Sequence, residues 1–415
     1  MQNSVDFLTL DRVMKKIALD LKLKILNMKS VFRYILIFVI ASFISCSGGG
    51  DSDNNTLYQY HTYEEIGIFL DEISAAYPHI TTLEHVGYSE SGRDIMALII
   101  SGNPSQLTGK PAIRLTGGIH GNEVMGIELL IRFIEYLTSN YQSDTIVQNI
   151  VDNKYICIIP VLNPDGLVRK RRYNDNNIDL NRNFDAAGDD LQKETKSLQD
   201  YSLKKSFVLS ITYHVGQVLV NMPFDYAREI DSAPVENELV KFYAKTYTKS
   251  GTFLLNPDLY KSIYMDEGII NGGDWYVING SLQDWSYLQT GCLDFTIEVS
   301  NRNPNSEIGV EEVFLYNRDS LVAFIDKADQ GIYGRVTNSS GKPISGVEIE
   351  TSWNSISGGL AGDIIIRTDS NGYYNRILLP GRYTFTFTKS GYTTEIVDDV
   401  SVANRAEINI QLQKN

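Results

Sequence analysis

The sequence predicts an α/β domain, with a mixed and mostly parallel sheet flanked by helices, followed by a small all-β sandwich. Three observations predict it. Apolar runs of strand character at 95–101, 113–116 and 155–161 alternate with stretches of helical period, the pattern of strands joined by crossover helices. The chain, at 415 residues, is long enough to bury two cores. After Gln330 its texture changes to short runs broken by Gly, Asn-Gly and Pro-Gly.

Taken in order, residues 1–27 carry three aspartates and read as an extra N-terminal extension, with Met28 as the true start. Lys29 and Arg33 then precede an apolar run, 34–44, and Ser45-Cys46. A run that short does not span a bilayer, which needs about 20 apolar residues. It predicts a signal peptide over 28–45. Residues 46–56 are a polar, Gly-rich tether. Ile66, Phe69, Leu70 and Ile73 recur with helical spacing up to Pro78. A helix is predicted over 123–137, further strands over 207–213, 218–221 and 293–299, and a closing helix over 310–328. Within 330–415, Tyr383, Phe385 and Phe387 alternate with threonines, the period of a half-buried strand, so this segment is expected to be an antiparallel sandwich.

Composition excludes some functions. Hydrophobic and charged fractions of 43% and 21% are those of a globular protein. The net charge is −14, and −18 without residues 1–45, which carry seven Lys/Arg and three Asp/Glu. A chain this acidic has no general affinity for nucleic acid. Three cysteines make no disulfide framework. Cys157 and Cys292 lie in or beside apolar runs and are expected to be buried thiols, with a bond between them left open.

The chemistry concentrates on a few residues. His120-Gly121-Asn122-Glu123 follows the run 112–116 and two glycines, where a strand becomes a helix. The pair reads either as a turn with a helix N-terminal carboxylate or as two thirds of a zinc site. His214 ends another strand-like run and would complete the set of two histidines and one glutamate that leaves a position open for water. His61, His79 and His85 have no metal-ligand spacing. Arg172, Asn181 and Arg182 follow the strand ending at Val161, and an Asn-Arg pair suits a bidentate grip on a carboxylate. Arg–Asp pairing within that loop, with Asp175 and Asp179, is the alternative. Glu298 lies in the apolar run 295–299, where burial would tune a carboxyl toward a general base.

H-x-x-E at His120/Glu123, N-P-D-G at 163–166, D-L-N-R-N-F at 179–184, His214, D-W-S-Y ending at Tyr287 and T-I-E ending at Glu298 occur in one order. Together they resemble the zinc metallocarboxypeptidase family, in particular its N/E-type subfamily, which carries a transthyretin-like domain after the catalytic one. The resemblance implies the zinc carboxypeptidase fold over 57–329 and the transthyretin-like sandwich over 330–415. It implies one zinc ion held by His120, Glu123 and His214, with Glu298 as general base and Arg172 polarising the scissile carbonyl. Asn181 and Arg182 would hold the substrate's terminal carboxylate, and Tyr287 would close over the bound residue. Asp225, eleven residues after His214, and Gln283, four before Tyr287, would form the side-chain pocket and select lysine or arginine. Val215 and Met222 depart from the family's usual Gly and Tyr and are expected to alter the pocket wall. Cys46 with its tether resembles a bacterial lipoprotein site, although Phe43 stands where Leu is usual.

The implied activity is hydrolysis of the C-terminal residue of peptides and proteins, by an enzyme lipid-anchored to a bacterial cell envelope. Two rivals remain at this stage. A zinc amidohydrolase acting on cell-wall peptides or side-chain amides would not need the carboxylate clamp. An inactive binding module would be expected to have lost a ligand or the base.

Overall fold

A computed structural model describes residues 57–105, 109–234, 236–353, 364 and 366–415. The extension, signal peptide, tether and Cys46 lie outside the described residues.

The first helix, α1 (Tyr63–Ala76), starts at a capping box in which Thr62 and Glu65 satisfy each other's backbone N–H groups, and it buries Ile66 and Leu70. Two strands follow, β1 (Thr81–Tyr88) and β2 (Asp94–Ile100), paired antiparallel. The first of these had no counterpart in the sequence reading. Its burial alternates poorly, so no period-two signal exists to detect. Next come β3 (Ala112–Thr116), α2 (Val124–Asn140), α3 (Thr145–Asn153) and β4 (Tyr155–Ile159). The short α4 (Pro164–Val168) follows, capped by Asn163. The polar helix α5 (Lys193–Lys205) leads into β5 (Phe207–His214) and β6 (Val218–Met222). Then come α6 (Asn237–Lys249), β7 (Ile269–Asn271), α7 (Gly272–Trp275), α8 (Leu282–Thr290), β8 (Leu293–Val299) and α9 (Glu307–Asp326).

One eight-stranded sheet runs in the order β1-β2-β4-β3-β5-β8-β6-β7. Strands β4, β3, β5 and β8 are parallel to one another at its centre, and antiparallel pairings flank them. The central strands are buried on both faces, as helix-covered parallel strands must be. In register, Arg114 of β3 stands beside Ser210 of β5, and Ser210 beside Asp294 of β8. Arg114 spans the row to Asp294 at 2.5 Å and also donates to Ser202 of α5 and Ser286 of α8. The same register sets His214, at the end of β5, beside Glu298 of β8.

The remaining strands are β9 (Gly331–Asn338), β10 (Glu348–Trp353), β11 (Ile366–Arg367), β12 (Tyr373–Ile377), β13 (Gly381–Thr388), β14 (Glu395–Val402), β15 (Arg405–Glu407) and β16 (Ile410–Leu412). They form two sheets, β11-β10-β13-β14 and β12-β9-β15 with β16 also on β9. Tyr383, Phe385 and Phe387 point inward as their alternation predicts. The expected antiparallel arrangement is corrected in one respect. Strands β15 and β16 pair parallel to β9, because the chain crosses from one sheet to the other after β14 instead of turning back. Cys157 and Cys292 are buried free thiols.

Truncating one member of a buried ion pair strands the other charge in a dry core, at a cost of about 3–5 kcal/mol. Arg114→Ala should therefore lower unfolding stability by about that amount, and Arg114→Met with Asp294→Leu should recover most of it. Urea denaturation of the three proteins tests this, and a single-variant loss below about 1 kcal/mol would refute it.

Candidate active site

Three central strands deliver the site to their C-terminal ends. After β3 the chain passes Gly117 and Gly118, the latter at φ +58°, a conformation that favours glycine. It then turns through His120 and Gly121 into α2. A Cβ on Gly121 would lie 2.0 Å from the carbonyl carbon of Gly166, so the His120 loop packs directly on the N-P-D-G turn. That contact requires glycine at 121, whereas Gly166 is required by its own cap, since a Cβ there would lie 2.6 Å from the side-chain amide nitrogen of Asn163.

His120, Glu123 and His214 converge, all buried, with one ligand atom from each lying within 4.8 Å of the others. Both Nδ1 atoms face the Glu123 carboxylate, His120 at 2.8 Å and His214 at 2.9 Å. Asp179 lies 3.0 Å from Nε2 of His120, an outer carboxylate that fixes the ring's orientation. The buried Nε2 of His214 has no hydrogen-bond partner. Two imidazoles and a carboxylate with convergent donor atoms fit a zinc ion. Burial opposes ionisation of Glu123 and Asp179, but neighbouring histidine and arginine charges outweigh it. Both carboxyl groups are held well below the usual range. They are therefore anionic, as metal ligation and its support require.

A cavity of about 240 Å³ opens on this triad, and its wall includes Arg172, Asn181, Gln217, Asn221, Asp225, Tyr276, Ile278, Thr296 and Glu298. Arg172 reaches Nη1 to Glu123 at 3.1 Å and Nε to Asp179 at 3.0 Å. Glu298 is pushed up to about 7, chiefly by burial and then by the nearby charge of Glu123. The His214 and Arg172 charges and the Gln217 N–H oppose the rise. Asn181 sits in the wall with its Oδ1 accepting the N–H of Leu282 at 3.0 Å. Arg182 stands just outside the wall, half-buried, where its charge still acts on Asp225 and Tyr276. Asp225 is deep in the wall, 2% exposed.

Two residues that the resemblance implies for substrate binding, Tyr287 and Gln283, stand away from the cavity wall. Tyr287 is 2% exposed and absent from the cavity wall. Its ring packs edge-on against Phe224 at 5.5 Å, because α8 turns this position toward the core. The tyrosine on the wall is Tyr276, 48% exposed, which follows α7. Nothing local in the sequence distinguishes the two, since each follows a tryptophan closely in a polar stretch. Gln283 is also absent from the wall and lies one layer behind it, where its Oε1 accepts the N–H of Thr296 at 2.8 Å. Thr296 was missed, although its place two residues before Glu298 on β8 puts it on the same face. Of the two departures from the family pattern, Val215 lines the cavity, and Met222 is buried away from it.

A sequence profile of the zinc carboxypeptidase family matches residues 66–315, and one of the carboxypeptidase regulatory-like domain matches 331–413. Carboxypeptidase D of Homo sapiens is 32% identical over 376 residues, covering 85% of this chain but 26% of that protein, so the chain spans about a quarter of that relative. Carboxypeptidase M of Mus musculus is 30% identical, covering 81% of this chain and 79% of its own length. The catalytic chain of carboxypeptidase N of Rattus norvegicus is 28% identical, at 86% and 87% coverage. Two solved structures share the fold. Thrombin-activatable fibrinolysis inhibitor has a TM-score of 0.55 at 20% identity, over 66% of this chain and 75% of that one. Carboxypeptidase A from Helicoverpa armigera has 0.54 at 19%, over 69% and 78%.

The raised Glu298 predicts a pH effect with a definite sign. The fold favours its neutral form, so its contribution to stability is full below the ordinary carboxylate value and is lost as pH rises to about 7. Glu298→Gln escapes that loss. The metal-free variant should match the parent near pH 4.5 and exceed it by roughly 2–3 kcal/mol at pH 8. Equal denaturation midpoints at pH 8 would contradict this.

Proposed function

This chain belongs to the zinc carboxypeptidase family, of the N/E type that its motifs predict, and we propose that it removes the C-terminal residue of peptides and proteins, with lysine and arginine preferred. The observation that carries this reading is a single cavity whose wall holds both a convergent metal-binding triad and a buried carboxyl suited to a cation.

His120, Glu123 and His214 would hold zinc, which when bound supplies a Lewis acid for the scissile carbonyl and acidifies water toward neutrality. Glu298, poised near neutrality, takes a proton from the attacking water and later gives it to the leaving amine. Arg172, on the same wall, offers fixed positive charge to the developing oxyanion. Asn181 and Arg182 grip the α-carboxylate. A peptide without a free C-terminus would leave that charge unpaired, which makes the enzyme an exopeptidase. Tyr276, in place of Tyr287, closes over the bound residue, since it is the half-exposed tyrosine at the mouth. Asp225 receives a cationic side chain, because an apolar one would leave a buried carboxylate without a counter-charge. Gln283 supports this pocket from behind through Thr296.

The proposal extends to location: export, and a lipid on Cys46 that anchors the enzyme to a bacterial envelope. The short apolar run and the polar tether support it. Among the described residues no helix is long and apolar enough to cross a membrane.

Peptides that differ only at the last residue, hydrolysed with and without a chelator, test the activity. C-terminal Arg and Lys should exceed Phe and Leu in kcat/KM by at least about tenfold, Asp225→Ala should erase the difference, and metal removal or His214→Ala should abolish turnover. Undiminished hydrolysis by metal-free protein, or equal rates on Phe, would sink the reading. For location, Cys46→Ser should leave the protein in the soluble fraction or unprocessed, and unchanged membrane association would exclude the lipid.

A further inference from the structure

Behind the wall that carries Asp225 stands a second carboxyl group. Asp284, on the first turn of α8, is 6% exposed. Its two oxygens accept the backbone N–H of Asp225, each at 3.0 Å, and Oδ2 also accepts that of Tyr226 at 3.1 Å. The Asp225 carboxyl is in turn wedged in place. Asn221 donates to its Oδ1 at 2.9 Å, Ser281 also donates to it, and a Cβ on Gly272 would fall 2.0 Å from it. Asp225 therefore has little freedom to turn, and the part of its backbone that aims it is fixed by Asp284.

The two acids sit in a desolvated wall, where a pair of carboxylates does not ionise twice without a counter-ion. Burial pushes both up, and the Asp225 charge adds to the rise of Asp284, while the N–H groups of Asp225 and Tyr226 oppose it. Asp294 on β8 acts on Asp284 in the same direction, and Arg182 and His214 favour the charged form of Asp225. Asp284 also borders a second cleft, about 530 Å³, between Phe184, Tyr226 and Trp285.

We propose that Asp284 is the positioning residue for side-chain selection. It pins the Asp225–Tyr226 backbone and so aims the carboxyl that faces a cationic side chain. This rests on the reading of Asp225 as the group that meets that side chain. The chemistry recognised is a primary ammonium or guanidinium.

The test uses the zinc-loaded enzyme and two peptides that end in Arg or Phe. The readout is the ratio of their kcat/KM values, with KM and kcat taken separately. Asp284→Ala should lower the ratio at least tenfold through a higher KM for the Arg peptide. Asp284→Asn, neutral and still able to accept both N–H groups on one oxygen, should hold the ratio within threefold. If the alanine variant does not fold, Asp284→Glu serves in its place. It keeps the carboxyl group but moves the oxygens off the two N–H groups, so it too should lower the ratio. An unchanged ratio in the alanine or glutamate variant would make Asp284 merely structural. A ratio lost equally in the asparagine variant would show that its charge is needed and overturn the assignment. A parent enzyme with no preference for Arg would instead overturn the Asp225 reading, and this one with it.

Discussion

The buried pair of Arg114 and Asp294 ties β3 to β8 across β5, and these are the three strands that carry the site. His120 lies four residues beyond β3, His214 ends β5, and Glu298 is on β8. A slip of one residue in any of the three would turn each side chain to the opposite face of the sheet. A charge buried in a sheet tolerates no such slip, because it would lose its partner and its two serine acceptors together. The pair therefore acts on function through register, although none of its atoms lines the cavity.

With the scaffold held, the site's chemistry becomes a problem of managing carboxyl groups. Glu123, Asp225 and Glu298 line one small cavity with Asp179 and Asp284 behind them, and the five fall into three environments. Glu123 and Asp179 are surrounded by imidazole and guanidinium and stay anionic. Glu298 accepts one backbone N–H and feels the His214 and Arg172 charges, but burial and the Glu123 charge outweigh them and it sits near neutrality. Asp225 and Asp284 face each other's charge in a desolvated wall and are both pushed up. Five identical functional groups thereby acquire three roles, set by what each one touches.

The β-sandwich lies at the other end of the strands. Arg376 and Ile377 border a cleft that also contains Phe207 and Leu293, the first residues of β5 and β8. Arg376 of β12 pairs with Glu236 at the start of α6, and Gln330 donates to the carbonyl of Leu378 at 3.0 Å. Lys154 pairs with Asp329 near the same junction. These buried polar contacts lie where the strands begin, while the triad lies where they end. The sandwich thus braces the sheet and stands away from the mouth of the cavity.

Much of this was legible in the sequence. Strands buried on both faces appear as continuous apolar runs, and loops that carry chemistry keep short, ordered motifs, so the α/β class and the set His120, Glu123, His214 and Glu298 could be read in one dimension. The same held for the sandwich, whose inward aromatics alternate along β13. Strand β1 and helix α5 could not be read, because the alternation of one is broken and the other is mostly polar outside Leu198 and Tyr201. The choice between Tyr276 and Tyr287 was likewise beyond it. Both are tyrosines in polar surroundings, and only the direction in which α8 presents its side chains sends one into the core and leaves the other at the mouth. Asp284 is a similar case, an acid on a first helical turn until the fold sets it behind Asp225. The sequence by itself determined which groups are available and which strands carry them. The tertiary structure decided which of them meet, because convergence depends on strand order and helix rotation, neither of which has a local signature.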